Sequence, residues 1–564
     1  MKPSIAPDLL SGLLSDAPAR VRKRLDADPA KADTWQWNDT GDGVTVDTGS
    51  ETVRLSAGPL TTADQVGCSC LLSPRCLHLL AVVGSLPLTE AAETTGEDET
   101  ATAAAPEPAA VVTLTPEQRA AAALAWQTGV ELADTGLAAA GTALKASLLR
   151  AVHACRVAGL HRVAAAGAAL SKSVTDLAHD HPHFSLPTAA AQLAELLDTA
   201  WRLCHTDAVD AAVIGVARRG YQPADPMRLH GVCAVPVASH TGYGGVVTVL
   251  ADARRGLVTV SDVMPDGVPA TAYRGAVSIG GLSVSHRDLA GGVLYLQDAT
   301  ATTTGRLGGG KARASVTGTS DWDAEPLADL WRTPLPAQLD RAFTAFSLPA
   351  EDRPEAADLL FLDATVHMGS SGPALVTDEG TAMTAVADNT DPRVQFTQNL
   401  RRLGAMQGHR LRLVARLLPG RSRRVAPLAV RLDGRVVHLG FEDLPGVRPV
   451  DLPGSAVDDT GSPIEPMRLI LQRIAMGGRD CAGTVAAAST RRAAARLRQR
   501  FMPHAAGVLD NLTRCAQAVE QDMFGRTRPT DRPGFATAWA AAHGYQSAAD
   551  LALSRATWQD ATPD

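Results

Sequence analysis

The stretch Cys68-Ser-Cys70-Leu-Leu-Ser-Pro-Arg-Cys76-Leu-His78 decides the fold of the N-terminal part of the chain. Three thiols and one imidazole are the ligand set of a closed, tetrahedral, structural zinc site. Soft thiolates disfavour calcium and magnesium, and four protein ligands leave no position for a catalytic water. We therefore predict a zinc ion held by Cys68, Cys70, Cys76 and His78, with a structural role.

The spacing within this stretch constrains the local backbone. Residues i and i+2 of an extended segment point to the same side, so Cys68 and Cys70 can face one ion. In a regular helix Cys76 and His78 would diverge by about 200°, so the regular helix is predicted to begin near Leu77 and to continue through HLLAVVG. The alternative, that the four are unmetallated core residues, is disfavoured because the paired spacing is more specific than a loose thiol cluster.

A hairpin is predicted just before the cysteines. Gly43–Thr48 and Glu51–Ser56 each alternate apolar and polar residues, and Gly49-Ser50 between them suits a two-residue type II′ turn. A unit of some 45 residues buries little surface, whereas zinc contributes on the order of 10 kcal/mol to folding. We therefore expect Cys70→Ser to leave the first 88 residues disordered and poor in metal.

The order strand, strand, CxC, CxH, helix resembles the SWIM zinc-finger family over about Gly43 to Ser85, with a short, five-residue gap between the ligand pairs. The resemblance implies a ββα frame with Cys68, Cys70, Cys76 and His78 as the metal ligands. It also implies a unit that binds protein or DNA. Large bacterial SWIM proteins commonly neighbour MoxR-type AAA+ ATPases and von Willebrand A-type proteins, which suggests such a partner.

Composition limits the remaining classes of protein. The chain has 564 residues, 45% of them hydrophobic and 20% charged, which excludes a mostly disordered protein and suggests roughly four domains. With 53 basic and 60 acidic side chains the net charge is -7, so phosphate backbones should repel the molecule as a whole. Because neither a signal peptide nor a run of about 20 apolar residues is evident, we expect a cytoplasmic protein. The five other cysteines are interpreted as small buried hydrophobic residues.

Changes in hydrophobic period predict an α+β multidomain protein with an N-terminal ββα zinc module, a central helical segment, a β-rich body and a C-terminal helical segment. The predicted domains are 1–88 with the zinc module at about 43–85, an acidic flexible linker at 89–113, a helical domain at 114–220, β-rich domains at 221–350 and 351–460, and a helical domain at 461–564.

One arginine-rich stretch is a second candidate for binding. Arginines alternate with apolar residues and then pass a turn, so one sheet face should be cationic. That face is either simply solvated or a surface for nucleic acid or an acidic protein, and few aromatic residues accompany it for base stacking. The arginines are Arg410, Arg412, Arg416, Arg421, Arg423 and Arg424.

Three other motifs are weak. Gly305–Ala312 imitates a phosphate loop, but Ala312 stands where Ser or Thr would hold magnesium and the next residues read as strand or loop, so we predict a glycine-rich turn. His179–His183 carries three histidines in a break between helices, with no second ligand cluster to pair with it. HMGSSGPA around Ser370 lacks a nucleophile elbow.

The sequence therefore favours a non-enzymatic adaptor that binds zinc and docks a protein partner, without any membrane association. Two alternatives stay open. One is a DNA-binding factor that uses the zinc module and the arginines, and the other is an enzyme with a polar pocket in the β-rich body.

Overall fold

The protein is a mixed α and β chain whose computed structural model falls into two compact units. The first unit comprises residues 1–99, 220–457 and 558–564, and the second comprises 100–219 and 458–557. The residues that the structure describes are 2–6, 9–10, 13, 17–18, 21, 24, 31–41, 43–87, 111–206, 208–216, 221–239, 242–279, 282–308, 312–452, 462–521, 523–524 and 527–559.

The strands are numbered in chain order. They are β1 (Gln36–Asp39), β2 (Gly43–Asp47), β3 (Thr52–Ser56), β4 (Val66–Cys68), β5 (Val111–Thr113), β6 (Ala208–Asp210), β7 (Gln222–Pro223), β8 (Met227–Ala238), β9 (Tyr243–Asp252), β10 (Gly256–Pro265), β11 (Ala276–Ile279), β12 (Leu282–Ser285), β13 (Gly292–Gln297), β14 (Thr300–Ala301), β15 (Leu307–Gly308), β16 (Arg313–Thr319), β17 (Leu359–Gly369), β18 (Gly372–Thr377), β19 (Ala382–Ala385), β20 (Arg410–Leu418), β21 (Arg424–Leu432), β22 (Arg435–His438), β23 (Val519–Gln521) and β24 (Thr527–Pro529).

The α-helices are numbered in the same way. They are α1 (Leu77–Gly84), α2 (Pro116–Thr135), α3 (Thr142–Val157), α4 (His161–Ala178), α5 (Leu186–His205), α6 (Ala211–Ile214), α7 (Pro269–Arg274), α8 (His286–Gly291), α9 (Ala328–Arg332), α10 (Leu335–Ser347), α11 (Phe396–Gly404), α12 (Glu465–Gly477), α13 (Thr484–Gln499), α14 (Pro503–Ala516) and α15 (Arg532–Gln559). None of the helices that the structure describes is long and apolar enough to cross a membrane.

The N-terminal sheet is antiparallel, in the order β1-β2-β3-β4. Its β2–β3 hairpin pairs Gly43 with Ser56 and Asp47 with Thr52, which confirms the predicted hairpin. Gly49 adopts φ +86° at the first central position of the turn, the conformation that a type II′ turn requires there and that glycine tolerates best. The pairing of β3 with β4 brings Cys68 to the edge of this hairpin.

Helix α1 is buried along most of its length. Leu79 to Val83 are all buried, so the helix is apolar on every side, which is typical of a helix enclosed by other elements. It contacts β3 and β4 on the N-terminal sheet and β16 in the larger part of the unit, where Gly84 lies against Thr317. Tyr295 of β13 belongs to the same hydrophobic cluster. The N-terminal module thus packs on the β-rich body.

Arg228 of β8 fixes the end of α1. Its Nη2 donates to the carbonyl oxygen of Gly84 at 3.0 Å, and its Nη1 donates to that of Leu86. The last carbonyls of a helix have no hydrogen-bond donor within the helix and carry partial negative charge. A guanidinium at this end supplies the donors and a compensating positive charge. The module therefore has a source of stability that does not depend on a metal ion.

Two antiparallel sheets form the body of the first unit. One has the order β10-β9-β8-β13-β16, and the other has the order β19-β18-β17-β20-β21-β22. Because β19 also pairs in parallel with β21, five strands of the second sheet close into a ring. Residues of β20 alternate in burial, with Leu411 and Leu413 inside and Arg410 exposed, as the apolar and polar alternation predicts.

The second unit is helical, with small sheets β5-β6 and β23-β24. A capping box between Thr115 and Gln118 begins α2, which packs against α3 and α5. One hydrophobic cluster joins α2–α5 to α12–α15, so the segments predicted as separate domains at 114–220 and 461–564 share a core. Most of the predicted linker at 89–113 lies outside the described residues, and its last three residues form β5.

Candidate metal centre

Cys68, Cys70, Cys76 and His78 converge on one point. One ligand atom from each lies within 4.8 Å of every other, and the Cys68 sulfur is 4.0 Å from His78 Nδ1. Tetrahedral zinc, bonded at about 2.3 Å to sulfur and about 2.0 Å to nitrogen, places its ligand atoms about 3.5–3.8 Å apart. The four side chains therefore need to close by only about 1 Å, and their donor set fits zinc. In the described part of the chain this is the group that could hold a metal ion.

Local structure places each ligand. Cys68 ends β4, Cys70 lies in the turn that follows, and Cys76 is the residue that caps the N-terminus of α1. Cys76 has extended backbone angles, φ -99° and ψ 156°, and its sulfur accepts a hydrogen bond from Leu79 N at 3.4 Å. His78 therefore follows Cys76 across the boundary between extended chain and helix. This confirms the prediction that the regular helix begins at Leu77, and it explains how a CxH pair faces one point.

Hydrogen bonds around the ligands hold the loop to β3. Cys68 N donates to Ser73 Oγ at 3.2 Å, so the middle of the loop between the ligand pairs is tied to the end of β4. Ser69 N donates to the carbonyl oxygen of Thr52 at 3.0 Å, and Thr52 N donates to Ser69 Oγ at 2.9 Å. The Trp35 ring meets the His78 ring edge-on, with 6.1 Å between centroids. Sequence reasoning did not identify these supporting residues, because neither serine nor tryptophan carries a spacing signal.

The thiols differ in acidity. Burial raises the pKa of Cys76 to about 12, and burial also raises the pKa of Cys68. Burial acts in the same direction on Cys70, but hydrogen bonds from Cys76 and from the Leu72 backbone outweigh it and lower the Cys70 pKa. Thiols bind metal as thiolates, so a metal ion that bound here would displace protons that burial otherwise retains.

The loop between the ligand pairs exposes two leucines. Leu71 is 104% exposed and Leu72 is 62% exposed, whereas Cys76 at the end of the same loop is buried. Scattered exposed leucines are ordinary on protein surfaces. Here two adjacent leucines lie on a short loop whose two ends, Cys70 and Cys76, both belong to the group that could hold a metal ion. An ion bound there would also fix how the leucines are presented.

The predicted cationic face is largely neutralised. Arg412 donates to both oxygens of Asp363, at 2.9 and 2.8 Å, and to Asp323 at 2.6 Å. Arg416 forms ion pairs with Asp358 and Asp388, and Arg410 pairs with Asp378. Arg421 and Arg423 also have interaction partners, and Arg424 begins β21. The alternation of arginine with apolar residues therefore predicted which side of the sheet the first three arginines occupy. The aspartates beside them neutralise the positive charge that would attract phosphates.

The three weaker motifs gain little support. Residues 309–311 of the phosphate-loop imitation lie outside the described residues, and the strand β16 follows where a phosphate-binding helix would begin. The rings of His181 and His183 are tilted at 57° to each other with 4.6 Å between centroids, and the described residues supply no third ligand beside them. Ser370 lies in the β17–β18 turn. Of the other five cysteines, Cys155 and Cys233 are buried and three are half-buried.

Comparison of the chain with protein-family models, with curated proteins and with solved structures finds no match.

Proposed function

We propose that the chain is a zinc-binding interaction protein without catalytic activity, whose metal centre shapes a loop that docks a protein partner. The observation that carries the proposal is the convergence of Cys68, Cys70, Cys76 and His78 on one point. Three thiolates and an imidazole suit zinc better than calcium or magnesium. Because they fill all four tetrahedral positions, the ion supplies rigidity and leaves no site for a reacting water.

The docking element we propose is Leu71 with Leu72. A flexible loop loses conformational freedom when it binds, whereas a loop held at both ends by one ion has lost much of it already. Leucines fixed in this way can enter an apolar groove of a partner at little further entropic cost. The resemblance to SWIM proteins makes a MoxR-type AAA+ ATPase or a von Willebrand A-type protein the first partner to test.

The test compares capture by three forms of the intact protein from a nuclease-treated lysate of the source organism. The forms are the unaltered chain, Leu71→Ser/Leu72→Ser, and a control, Leu469→Ser, that changes a leucine 55% exposed in the second unit. We expect a protein retained by the unaltered chain and the control and lost from the double variant.

The retained protein is then purified and its affinity measured as salt is raised. Apolar docking predicts an affinity that changes little. A steep decrease, with a slope near -0.9 per neutralised phosphate for duplex DNA, indicates nucleic-acid binding instead and contradicts the proposal. Equal capture by all three forms also contradicts it.

A further inference from the structure

A cavity of about 460 Å³ lies between the two large sheets of the first unit. Its volume falls within the range of small-molecule sites, roughly 300–1,000 Å³. One wall is apolar and is formed by valines of β8 and β9. These valines are Val235, Val237, Val247 and Val249.

Charged side chains also line the cavity. Arg416 donates from Nε to Asp358 at 3.0 Å and from Nη1 to both oxygens of Asp388, at 2.5 and 2.6 Å. Glu355 also lines the cavity, and its Oε2 accepts a hydrogen bond from Thr259 Oγ1 at 3.0 Å. No cationic side chain in the described ranges forms an ion pair with Glu355.

The cavity therefore has an excess of negative charge. Glu355, Asp358 and Asp388 carry three formal negative charges against the single positive charge of Arg416 in the lining. Arg341 also interacts electrostatically with Asp358 and reduces the excess to about one negative charge, which lies at Glu355. A partly enclosed carboxylate interacts strongly with an opposite charge, because few waters screen it. A ligand that bears a positive charge is thus favoured over a neutral or an anionic one.

A metal ion does not fit this arrangement. The described residues include no group of three carboxylates here whose oxygens come together closely enough to bind one ion. The valines instead suit a hydrocarbon ligand, because a hydrated ion would leave their apolar surface exposed to water.

We propose that this cavity binds a small organic cation, a primary ammonium group on a short hydrocarbon chain. The ammonium lies at Glu355, and the hydrocarbon packs on the valines of β8 and β9. This site is independent of the zinc centre, and it offers the β-rich body a function that the N-terminal module does not supply.

The test is calorimetric titration of the full chain with three probes of similar shape and different charge: hexylammonium, hexanol and hexanoate. We expect saturable binding of one hexylammonium per chain, with the alcohol and the carboxylate weaker by about tenfold or more, as expected for loss of one hydrogen bond between charged groups.

Two variants locate the site. Glu355→Gln keeps the shape of the side chain and an oxygen that can accept the hydrogen bond from Thr259. We expect this variant to bind hexylammonium about tenfold more weakly and to bind hexanol with unchanged affinity. Glu351→Gln, an exposed control nearby, should change neither.

Several outcomes overturn the proposal. They are equal binding of all three probes, no binding of hexylammonium, hexylammonium binding that Glu355→Gln leaves intact, and saturable binding of magnesium in its place. If Glu355→Gln fails to fold, the charge series on the unaltered chain still decides.

Discussion

Replacement of Arg228 by methionine tests how the N-terminal module is attached to the β-rich body. The guanidinium bonds two carbonyls at the end of α1, and a hydrogen bond to a charged group contributes about 1.5–3 kcal/mol. Loss of both hydrogen bonds would therefore cost about 3–6 kcal/mol. Part of this cost is offset because methionine carries no charge that must be desolvated, whereas burial of the Arg228 charge is unfavourable and lowers its pKa to about 10. We therefore expect a net loss of about 2 kcal/mol in the free energy of opening of α1.

Hydrogen exchange followed by mass spectrometry measures this opening. A loss of about 2 kcal/mol predicts exchange roughly 30-fold faster in the peptide that covers α1, with β17–β22 unaffected. The control is Arg255→Met, which removes a surface ion pair of 3.6 Å with Asp225 in the same unit and should change exchange by about threefold at most. Unchanged protection of α1 in Arg228→Met, or an equal effect of the control, refutes the reasoning.

Three further predictions concern the metal ligands, the arginine face and a buried histidine. Cys70→Ser should abolish stoichiometric zinc binding and speed hydrogen exchange in residues 68–76, while α1 stays protected because it packs on the β-rich body. The control Cys515→Ser should change neither the zinc content nor the exchange rates. Metal analysis and hydrogen exchange of both variants check these expectations. Arg412→Met should leave elution from heparin unchanged but lower stability in urea by about 1–2 kcal/mol, since Asp363 loses a half-buried bidentate partner; earlier elution contradicts this. Burial lowers the pKa of His438 to about 4, and its Nδ1 accepts a backbone hydrogen bond, so the folded chain binds fewer protons than the unfolded chain, whose histidine titrates near 6.5. The free energy of unfolding should therefore fall as pH falls from about 6.5 to 4, and His438 should contribute up to about 1.4 kcal/mol of this loss per pH unit. In urea unfolding, the stability of His438→Asn should depend less steeply on pH than that of the unaltered chain. An identical pH dependence of the two refutes a neutral, buried His438.

The convergence of the four side chains that could hold a metal ion was predictable from the sequence because its determinants are local. Cys68 and His78 are ten residues apart, and the hairpin, the turn at Gly49 and the start of α1 each follow from short-range sterics. The mixed α and β composition was also readable, since a period of two and a period near 3.6 alternate along the chain. These features depend on neighbours within about a dozen residues.

The tertiary arrangement was not readable, because it depends on residues far apart in the chain. Arg228 bonds a carbonyl 144 residues earlier, and Arg412 finds Asp323 89 residues away. Neither pair has a spacing that one sequence reveals. The sequence led us to expect that a metal ion alone holds the first 88 residues. Because Tyr295 and Thr317 of the β-rich body also pack on the module, we now expect α1 to stay folded without metal. These two contacts are also distant in sequence and could not be foreseen.

Zinc-edge X-ray absorption of the purified chain, with metal content measured on the same sample, tests the central claim most directly. We expect one zinc per chain, bound by three sulfurs at about 2.3 Å and one nitrogen at about 2.0 Å. A metal content well below one per chain, or a shell dominated by oxygen and nitrogen, would contradict it.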